Sequence, residues 1–356
     1  MPQRFPRVRR RALALSAAAA TVLLTLAGCG GGSEPKAAEQ PAATAPASSG
    51  SAAGVFPVTI DSALGQATIP KQPERVVTLG QGSTETAIAL GHTPVGIESY
   101  EWGSDKSGYL PWIHEAVTKA GGTLPKQFAG GENIDYDTIL ELKPDVILAP
   151  WSGITQEQYD LLKDIAPTVA YPDLPWSTNW DQQIEIIAKA LGKPAEAATL
   201  ISTIKKQLAD AAATRPQYKD VTFSYIYTTG PGTLGVFKPE EQRVEMVSSL
   251  GLTVDPVVNT FEETKGTDSA LIGLENAQKL AKSDLIFTFY TDAKTRKEIE
   301  AQKLYGEIPA VKRGAVVASA DNPFVTGSSI INPLTVPWVI DRYLPLIDEA
   351  VAKIER

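Results

Sequence analysis

Short apolar runs alternate with helix-like patterns along most of the chain, and this alternation limits the fold more than any other feature. Strand-like runs occur at residues 75–79, 94–97, 145–148, 168–170, 221–227, 285–289 and 315–318. Helical patterns occur at residues 83–90, 156–163, 181–213, 241–250 and 336–354. Such alternation predicts parallel sheets covered by helices on both faces. Roughly 300 residues follow residue 54, enough for two α/β lobes or one large domain.

The N-terminus has the pattern of an export signal. Five arginines and no acid occupy residues 1–11, and the apolar run 12–26 leads to Leu26-Ala27-Gly28-Cys29. The run is shorter than the about 20 residues of a membrane-spanning helix, so a cleaved signal peptide is predicted. The tetrapeptide resembles the bacterial lipobox, in which the cysteine is acylated, and Cys29 is the only cysteine in the sequence. The alternative is an incidental small apolar residue. The export route, general or twin-arginine, stays open.

Charge and composition after Cys29 exclude some classes of partner. Removing residues 1–28 removes five positive charges and no negative one, so the net charge of -8 becomes -13. An acidic protein repels nucleic acid and anionic lipid. Residues 29–56 are rich in Gly, Ser, Ala and Pro, which predicts a flexible tether. We therefore expect membrane contact only through the lipid.

Two segments of the chain are similar to each other. Residues 137–148 and 275–287 each open with an acid, continue through a short helical pattern with a leucine and a Lys/Asp turn, and end in an apolar strand-like run. The similarity favours two related lobes. Chance likeness between two units of the same kind is the alternative.

Several segments in a fixed order carry a resemblance to a known family. They are residues 75–79 with Glu85, residues 89–97, 142–148 and 162–169, Trp180 with residues 190–192, Arg243 before Leu250-Gly251, and residues 309–314. Together with the signal and Cys29, they make residues 74–350 resemble the ferric siderophore and cobalamin substrate-binding proteins of ABC importers.

The resemblance implies a fold and a domain plan. The fold is α/β, with two α/β lobes joined by one long helix and the ligand cleft between the lobes. A single rigid connector would permit only modest closure. The implied segments are a lipoprotein signal peptide (1–28), a flexible tether (29–56), an N-terminal lobe (57–178), a connecting helix (179–213) and a C-terminal lobe (214–356). Gly192 and Pro194 could kink the connecting helix or split it in two.

The resemblance also implies a docking site for the permease. In the family, one carboxylate on each lobe contacts arginines of the permease. By motif position these carboxylates are Asp137, where relatives usually carry glutamate, and Glu275. Two acids on opposite lobes would fix the orientation of the permease through two separate charge contacts. The alternative is that both acids only complement the positive ends of their helices, for about 0.3 to 1 kcal/mol each.

Aromatic residues follow the predicted strands, where ligands of open α/β sheets collect. They are Tyr100, Trp102, Trp151, Tyr227, Tyr290 and Phe324. Each is as readily a local core residue as a ligand contact. Trp102 and Trp151 are favoured, because relatives carry aromatics there, and we expect them to line one wall of the cleft.

Arg243 lies early in a predicted helix, and with Tyr227 we expect it to face the two tryptophans from the other lobe. A guanidinium can hold an oxygen-rich ligand. The alternative is an ordinary salt bridge with Glu240 or Glu245.

Metal binding and catalysis have little support in the sequence. His92 and His114 are the only histidines, so no direct metal site is expected and iron would arrive inside an organic chelator.

Residues 230–235 match the dinucleotide fingerprint, with Asp255 in the place of the ribose acid. However, the next helix starts only after Pro239, where it cannot meet a phosphate. No Gly-x-Ser-x-Gly elbow supports a hydrolase. We therefore predict neither an enzyme nor a cofactor.

These observations predict the solute-binding lipoprotein of an ABC importer, a monomer on the extracytoplasmic face of the membrane. The partners are a ferric siderophore and the permease subunits with their ATPase. Few basic residues follow the predicted strands, which favours a hydroxamate over an anionic catecholate. Cobalamin or haem is the alternative ligand, and a lipid-anchored hydrolase is the less favoured function.

Overall fold

The computed structural model describes residues 55–265 and 267–354. Cys29, the predicted signal peptide and nearly all of the predicted tether lie outside the described residues. The strands are β1 (Val58–Ser62), β2 (Gly65–Ile69), β3 (Val76–Thr78), β4 (Gly96–Glu98), β5 (Lys126–Phe128), β6 (Val146–Leu148), β7 (Thr168–Val169), β8 (Thr222–Tyr227), β9 (Gly235–Phe237), β10 (Thr253–Val254), β11 (Ser269–Leu271), β12 (Leu285–Phe289) and β13 (Val316–Ser319).

The α-helices surround these strands. They are α1 (Ser83–Ala89), α2 (Pro111–Lys119), α3 (Tyr136–Glu141), α4 (Gln156–Ile165), α5 (Trp180–Ala190), α6 (Pro194–Ala213), α7 (Gln242–Ser249), α8 (Ala293–Glu300), α9 (Lys303–Gly306), α10 (Pro309–Lys312), α11 (Asn322–Gly327) and α12 (Thr335–Val351). None of the helices in the described ranges is long and apolar enough to cross a membrane.

The first lobe is built on a parallel sheet with the order β5-β4-β3-β6-β7. Strands β3 and β6 are buried along their whole length, and Val77 pairs with Ile147 between them. Continuous apolar strands of this kind need cover on both faces, which the helices provide. The loops after β3, β4 and β6 therefore emerge together at one edge of the sheet.

The second lobe is built on the order β11-β9-β8-β12-β13, with β10 also paired to β8. Strands β8, β10, β12 and β13 run parallel. At one side, β9 pairs antiparallel with β8, and β11 pairs antiparallel with β9. The predicted α/β fold with two lobes is therefore confirmed. The loops after β8, β12 and β13 again share one edge.

The two similar segments form similar structures. Residues 137–148 form part of α3, a turn and β6, and residues 275–287 form part of a 3-10 helix (Leu274–Leu280), a turn and part of β12. In each turn an aspartate accepts a backbone hydrogen bond at the start of the neighbouring strand. Asp145 accepts from the amide of Arg75 at 3.0 Å, and Asp284 accepts from that of Thr222 at 2.9 Å. The repeated Lys/Asp turn thus joins adjacent strands in both lobes.

The structure corrects the expectation of one long connecting helix and confirms its alternative, a split at Gly192 and Pro194. The segment forms two helices, α5 and α6, separated at Leu191–Lys193. Gly192 has a left-handed φ of 72°, which ends α5, and Pro194 occupies the first turn of α6. Helix α5 packs against α1 of the first lobe, whereas α6 packs against α7 and α12 of the second. The lobes also meet where the rings of Trp112 and Trp338 lie 5.3 Å apart.

Candidate functional site

A cavity of about 290 Å³ lies between the lobes, and we call it the interlobe cavity. The first lobe contributes Trp151 and the loop 174–177, and the second contributes residues from β9, α7 and the loop before β11. The second-lobe residues are Phe237, Glu241, Arg243, Glu263, Thr267, Asp268 and Ser269. Loops at the sheet edges therefore supply both walls, as ligand sites of open α/β sheets require.

Trp151 is positioned by a close approach of two loops. It follows β6 and lies close to Gly80. A side chain at Gly80 would put a Cβ atom 1.9 Å from the carbonyl oxygen of Trp151. Gly80 also has a left-handed φ of 74°, so only glycine lets the loop after β3 pack so near. The Trp151 ring then meets the ring of Trp176 edge to face, with centroids 4.9 Å apart. Two tryptophans thus form an apolar wall.

Arg243 lies on the opposite wall in the first turn of α7. Its Nε donates to Ser329 Oγ at 3.1 Å, and its guanidinium lies over the Phe237 ring, 4.8 Å from the centroid. Its ion-pair partner is the largely buried carboxylate of Glu241, rather than Glu240 or Glu245 as the alternative supposed. Glu245 instead accepts from Trp180 Nε1 at 2.7 Å. The positive charge of Arg243 is thus already balanced within the protein.

The interlobe cavity is acidic. Among the residues that the structure describes, Glu241, Glu263 and Asp268 line it together with one cation, Arg243. Burial raises the pKa of Glu241, and Arg243 acts in the opposite direction. Burial also raises the pKa of Asp268, with added repulsion from Glu263 and Glu240. Such a lining disfavours anionic ligands and suits neutral or cationic ones.

Three predicted ligand residues do not line the interlobe cavity, although Tyr227 contacts two residues that do. The Tyr227 ring lies 4.7 Å from that of Phe237, and its hydroxyl lies 3.0 Å from Ser269 Oγ. Tyr100 donates to Glu98 Oε2 at 3.1 Å inside the first lobe. Trp102 is 43% exposed, and its Nε1 donates across the lobe boundary to the carbonyl oxygen of Thr291 at 3.4 Å.

Two other predicted ligand residues lie in the core of the second lobe. Tyr290 is 3% exposed, and its hydroxyl lies 2.9 Å from that of Tyr305. Phe324 is 5% exposed and packs edge to face on Tyr343, with ring centroids 5.3 Å apart. Because both side chains are enclosed by protein, we leave them out of the proposed site.

The two predicted docking acids lie on separate lobes and are exposed to solvent. Asp137 lies in the first turn of α3, whose N-cap is Asp135. Glu275 lies in the first turn of the 3-10 helix that begins at Leu274. Both positions are accessible to a protein partner, and both also suit the positive end of a helix.

Sequence reasoning missed Trp176, Phe237, Glu241 and Asp268. Trp176 belongs to Leu174-Pro175-Trp176-Ser177, a loop that exposes 56% of Leu174 and 47% of Trp176. Two large apolar residues beside a proline in a loop were the available signal. Glu241 pairs with Arg243 only two residues further along the chain, so the spacing of the two charges was an available signal, whereas Asp268 reaches the interlobe cavity only through the folding of the loop before β11.

The glycine-rich segment 230–235 is a turn leading into β9, and α7 begins only at Gln242. The described residues contain no group of three or more His, Cys, Asp or Glu residues arranged to hold a metal ion.

The sequence pattern of the periplasmic binding protein family matches residues 76–322. This range includes strands of both sheets and the residues of the interlobe cavity. The chain therefore belongs to that family of solute-binding proteins, as the order of its motifs predicted.

Three known proteins illustrate the similarity. The chain is 26% identical over 298 residues to the probable siderophore-binding lipoprotein YfiY of Bacillus subtilis, covering 76% of this chain and 83% of that protein. It is similar to the crystal structure of PiaA from Streptococcus pneumoniae in complex with ferrichrome, with a TM-score of 0.75 and 32% identity, covering 83% of this chain and 99% of that one. It is also 30% identical over 99 residues to the vitamin B12-binding protein of Salmonella typhimurium, covering 28% of this chain and 32% of that protein.

Proposed function

We propose that this protein captures a ferric hydroxamate siderophore between its lobes and delivers it to an ABC importer for iron uptake. The observation that carries the proposal is the interlobe cavity, with a tryptophan wall on one lobe and Arg243 paired to Glu241 on the other. Aromatic walls with few polar groups are typical of sites for organic ligands. The protein binds its ligand without converting it, and the iron is cargo rather than a cofactor.

The charge of the interlobe cavity favours hydroxamates over other iron chelators. Three hydroxamates each contribute one negative charge, so their complex with Fe³⁺ is neutral, whereas three catecholates leave a charge of minus three. Glu241, Glu263 and Asp268 would repel the second complex, and Arg243 has no spare charge to offset them. The similarity to PiaA, solved with ferrichrome, supports the same ligand class.

Cobalamin is the second candidate ligand. Its support is the 30% identity to a vitamin B12-binding protein, which extends over only 99 residues. YfiY and PiaA, which cover 76% and 83% of this chain, are instead named for siderophore binding or solved with ferrichrome.

Features of the sequence support a location at the membrane. We propose that Cys29 carries the lipid, that residues 29–56 form the tether, and that residues 57–178 and 214–356 form the lobes as a monomer on the extracytoplasmic face. Asp137 and Glu275 are the proposed contacts to the permease. Trp151 and Arg243 are the proposed ligand contacts, with Tyr227, Tyr100 and Trp102 beside them.

Tryptophan quenching tests the proposed ligand. The purified protein is titrated with ferrichrome, a ferric tricatecholate, haem and cobalamin, because Trp151 and Trp176 line the interlobe cavity and would report occupancy. We expect saturable quenching at the lowest concentration with ferrichrome. Tighter binding of cobalamin, haem or the catecholate would refute the proposed ligand class.

A further inference from the structure

A second cavity, of about 300 Å³, lies inside the first lobe beside the interlobe cavity. We call it the first-lobe chamber. It opens where β3, β4 and β6 end, and its walls include Leu79, Glu98, Ser152, Thr155 and Gln158. Each of the two cavities has a volume near the lower limit of about 300 to 1,000 Å³ for ligand pockets. A chelator that encloses iron with three bidentate arms would need a larger volume than either cavity offers.

Trp176 is the one residue of the described ranges that lines both cavities. Its ring rests on the backbone of Gly153, where an added Cβ atom would come within 2.4 Å of the indole Nε1. On its other side the ring meets Trp151 edge to face, with centroids 4.9 Å apart. The indole therefore forms the wall between the first-lobe chamber and the interlobe cavity.

The backbone of Trp176 is held in place, and its side chain is partly exposed. The backbone amide donates to the carbonyl oxygen of Ser152 at 3.1 Å. The backbone φ is 61°, a left-handed value that bulky residues rarely adopt and that marks functional sites more often than ordinary loops. The side chain is 47% exposed, so rotation about its two torsions does not open a sealed core.

The indole N–H of Trp176 is also available to a ligand. The indoles of Trp102, Trp112, Trp180 and Trp338 donate to protein oxygens. Within residues 55–265 and 267–354, the indoles of Trp151 and Trp176 donate to none. A tryptophan N–H usually finds an acceptor when it becomes buried, and the oxygens of a hydroxamate chelator are such acceptors.

We propose that Trp176 is a movable partition, and that ligand binding turns its ring away from Gly153 and joins the two cavities into one site. This inference rests on the proposed function. Part of the chelator then occupies the first-lobe chamber against Ser152, Thr155 and Gln158, and the displaced indole packs on the ligand. The chamber also contains Glu98 and Glu132, and its lining includes no lysine or arginine among the described residues. It therefore accepts uncharged parts of a ligand rather than anionic ones.

Gly153→Ala displaces the partition without removing it. The backbone at Gly153 lies outside the left-handed region, so alanine fits the chain while its methyl group excludes the indole. In this variant the indole is already displaced before the ligand binds. Because binding no longer has to move it, we expect the dissociation constant for ferrichrome to fall at least threefold. Gly306→Ala is the matched control, since a Cβ atom there meets nothing within 4 Å, and its affinity should equal that of the wild type.

Fluorine NMR follows the ring directly. The protein is labelled with 5-fluorotryptophan, the Trp176 resonance is assigned through Trp176→Phe, and the diamagnetic gallium form of ferrichrome serves as ligand. We expect the Trp176 resonance to shift on binding, and to shift in the same direction in ligand-free Gly153→Ala. If the wild type binds the ligand with an unmoved Trp176 resonance, or if Gly153→Ala weakens binding, the partition is wrong. If the wild type does not bind ferrichrome, the proposed function fails and the partition fails with it.

Discussion

Trp151 is the residue whose removal should separate ligand binding from folding most clearly. It forms part of the apolar wall of the interlobe cavity and packs on Trp176 rather than in a sealed core. We expect Trp151→Ala to weaken ferrichrome binding by about 1 to 3 kcal/mol, the usual range for a buried anchor. Titrations should show this loss with little change in the melting temperature of the free protein. Leu161→Ala, at an exposed position on α4, is the control. A large fall in melting temperature for Trp151→Ala would show that Trp151 belongs to the core and not to the ligand site.

Glu241 sets the charge that Arg243 presents to a ligand. With Glu241→Gln the guanidinium loses its ion-pair partner, so an anionic ligand would meet an uncompensated positive charge. We expect affinity for ferric dicitrate to rise at least fivefold, equivalent to about 1 kcal/mol of Coulomb energy in a partly solvated site, while ferrichrome affinity changes less. Glu240→Gln removes the same charge from a neighbouring exposed position, where salt screens it. Equal effects of the two substitutions would contradict this role for Glu241.

At the scale of elements, the end of α12 is tied to the segment that follows α6. Asp348 accepts from Arg215 at 3.0 Å and from the hydroxyl of the buried Tyr218 at 2.7 Å. Burial tends to raise the pKa of Asp348, but these hydrogen bonds outweigh it and the pKa is lowered. Asp348→Asn should therefore reduce the free energy of unfolding at pH 7 by about 1 kcal/mol, a modest value because the side chains are partly exposed.

The effect of Asp348 should depend on pH in one direction. Since its pKa is lower in the folded than in the unfolded chain, its contribution is complete above about pH 4, the ordinary value for aspartate, and is lost as the pH falls through the folded value. Urea unfolding of the wild type and Asp348→Asn should converge on acidification. Asp341→Asn, an exposed residue of the same helix, should match the wild type throughout, and a gap that widened in acid would refute the assignment.

The elements also show what the sequence could predict. The strand-like run 285–289 coincides with β12, and the helical pattern 156–163 falls within α4, because apolar periodicity reports burial. The β1–β2 hairpin and the short strands β9 and β11 were missed. The hairpin pairs locally and its burial alternates along each strand, so its pattern was available in the sequence. Strands β9 and β11 are short and pair with each other across a long stretch of chain, which no local pattern reports. In the site, Trp151 and Arg243 were predicted from their place after a strand and in an early helical turn, whereas the position of Trp176 depends on tertiary contacts with Trp151 and Gly153.

At the scale of the whole molecule, the two exposed acids Asp137 and Glu275 lie on separate lobes and do not line the interlobe cavity. We expect the double substitution to alanine to abolish iron uptake by cells while ferrichrome affinity stays within about twofold, since rim charges alter partner association more than a remote pocket. The control is Asp164→Ala with Glu298→Ala, two exposed acids on the same lobes. Equal losses of uptake and affinity would assign Asp137 and Glu275 to ligand binding or stability.

The central claim is that the space between the lobes holds one neutral ferric hydroxamate. Isothermal titration of the purified protein with ferrichrome, with the same chelator free of metal, and with a ferric tricatecholate tests it most directly. The account predicts one ferrichrome per protein, at least tenfold weaker binding of the metal-free chelator because it lacks the compact preorganised shape, and no binding of the tricatecholate. Equal or tighter binding of the tricatecholate would contradict the claim that an acidic cavity selects a neutral ligand.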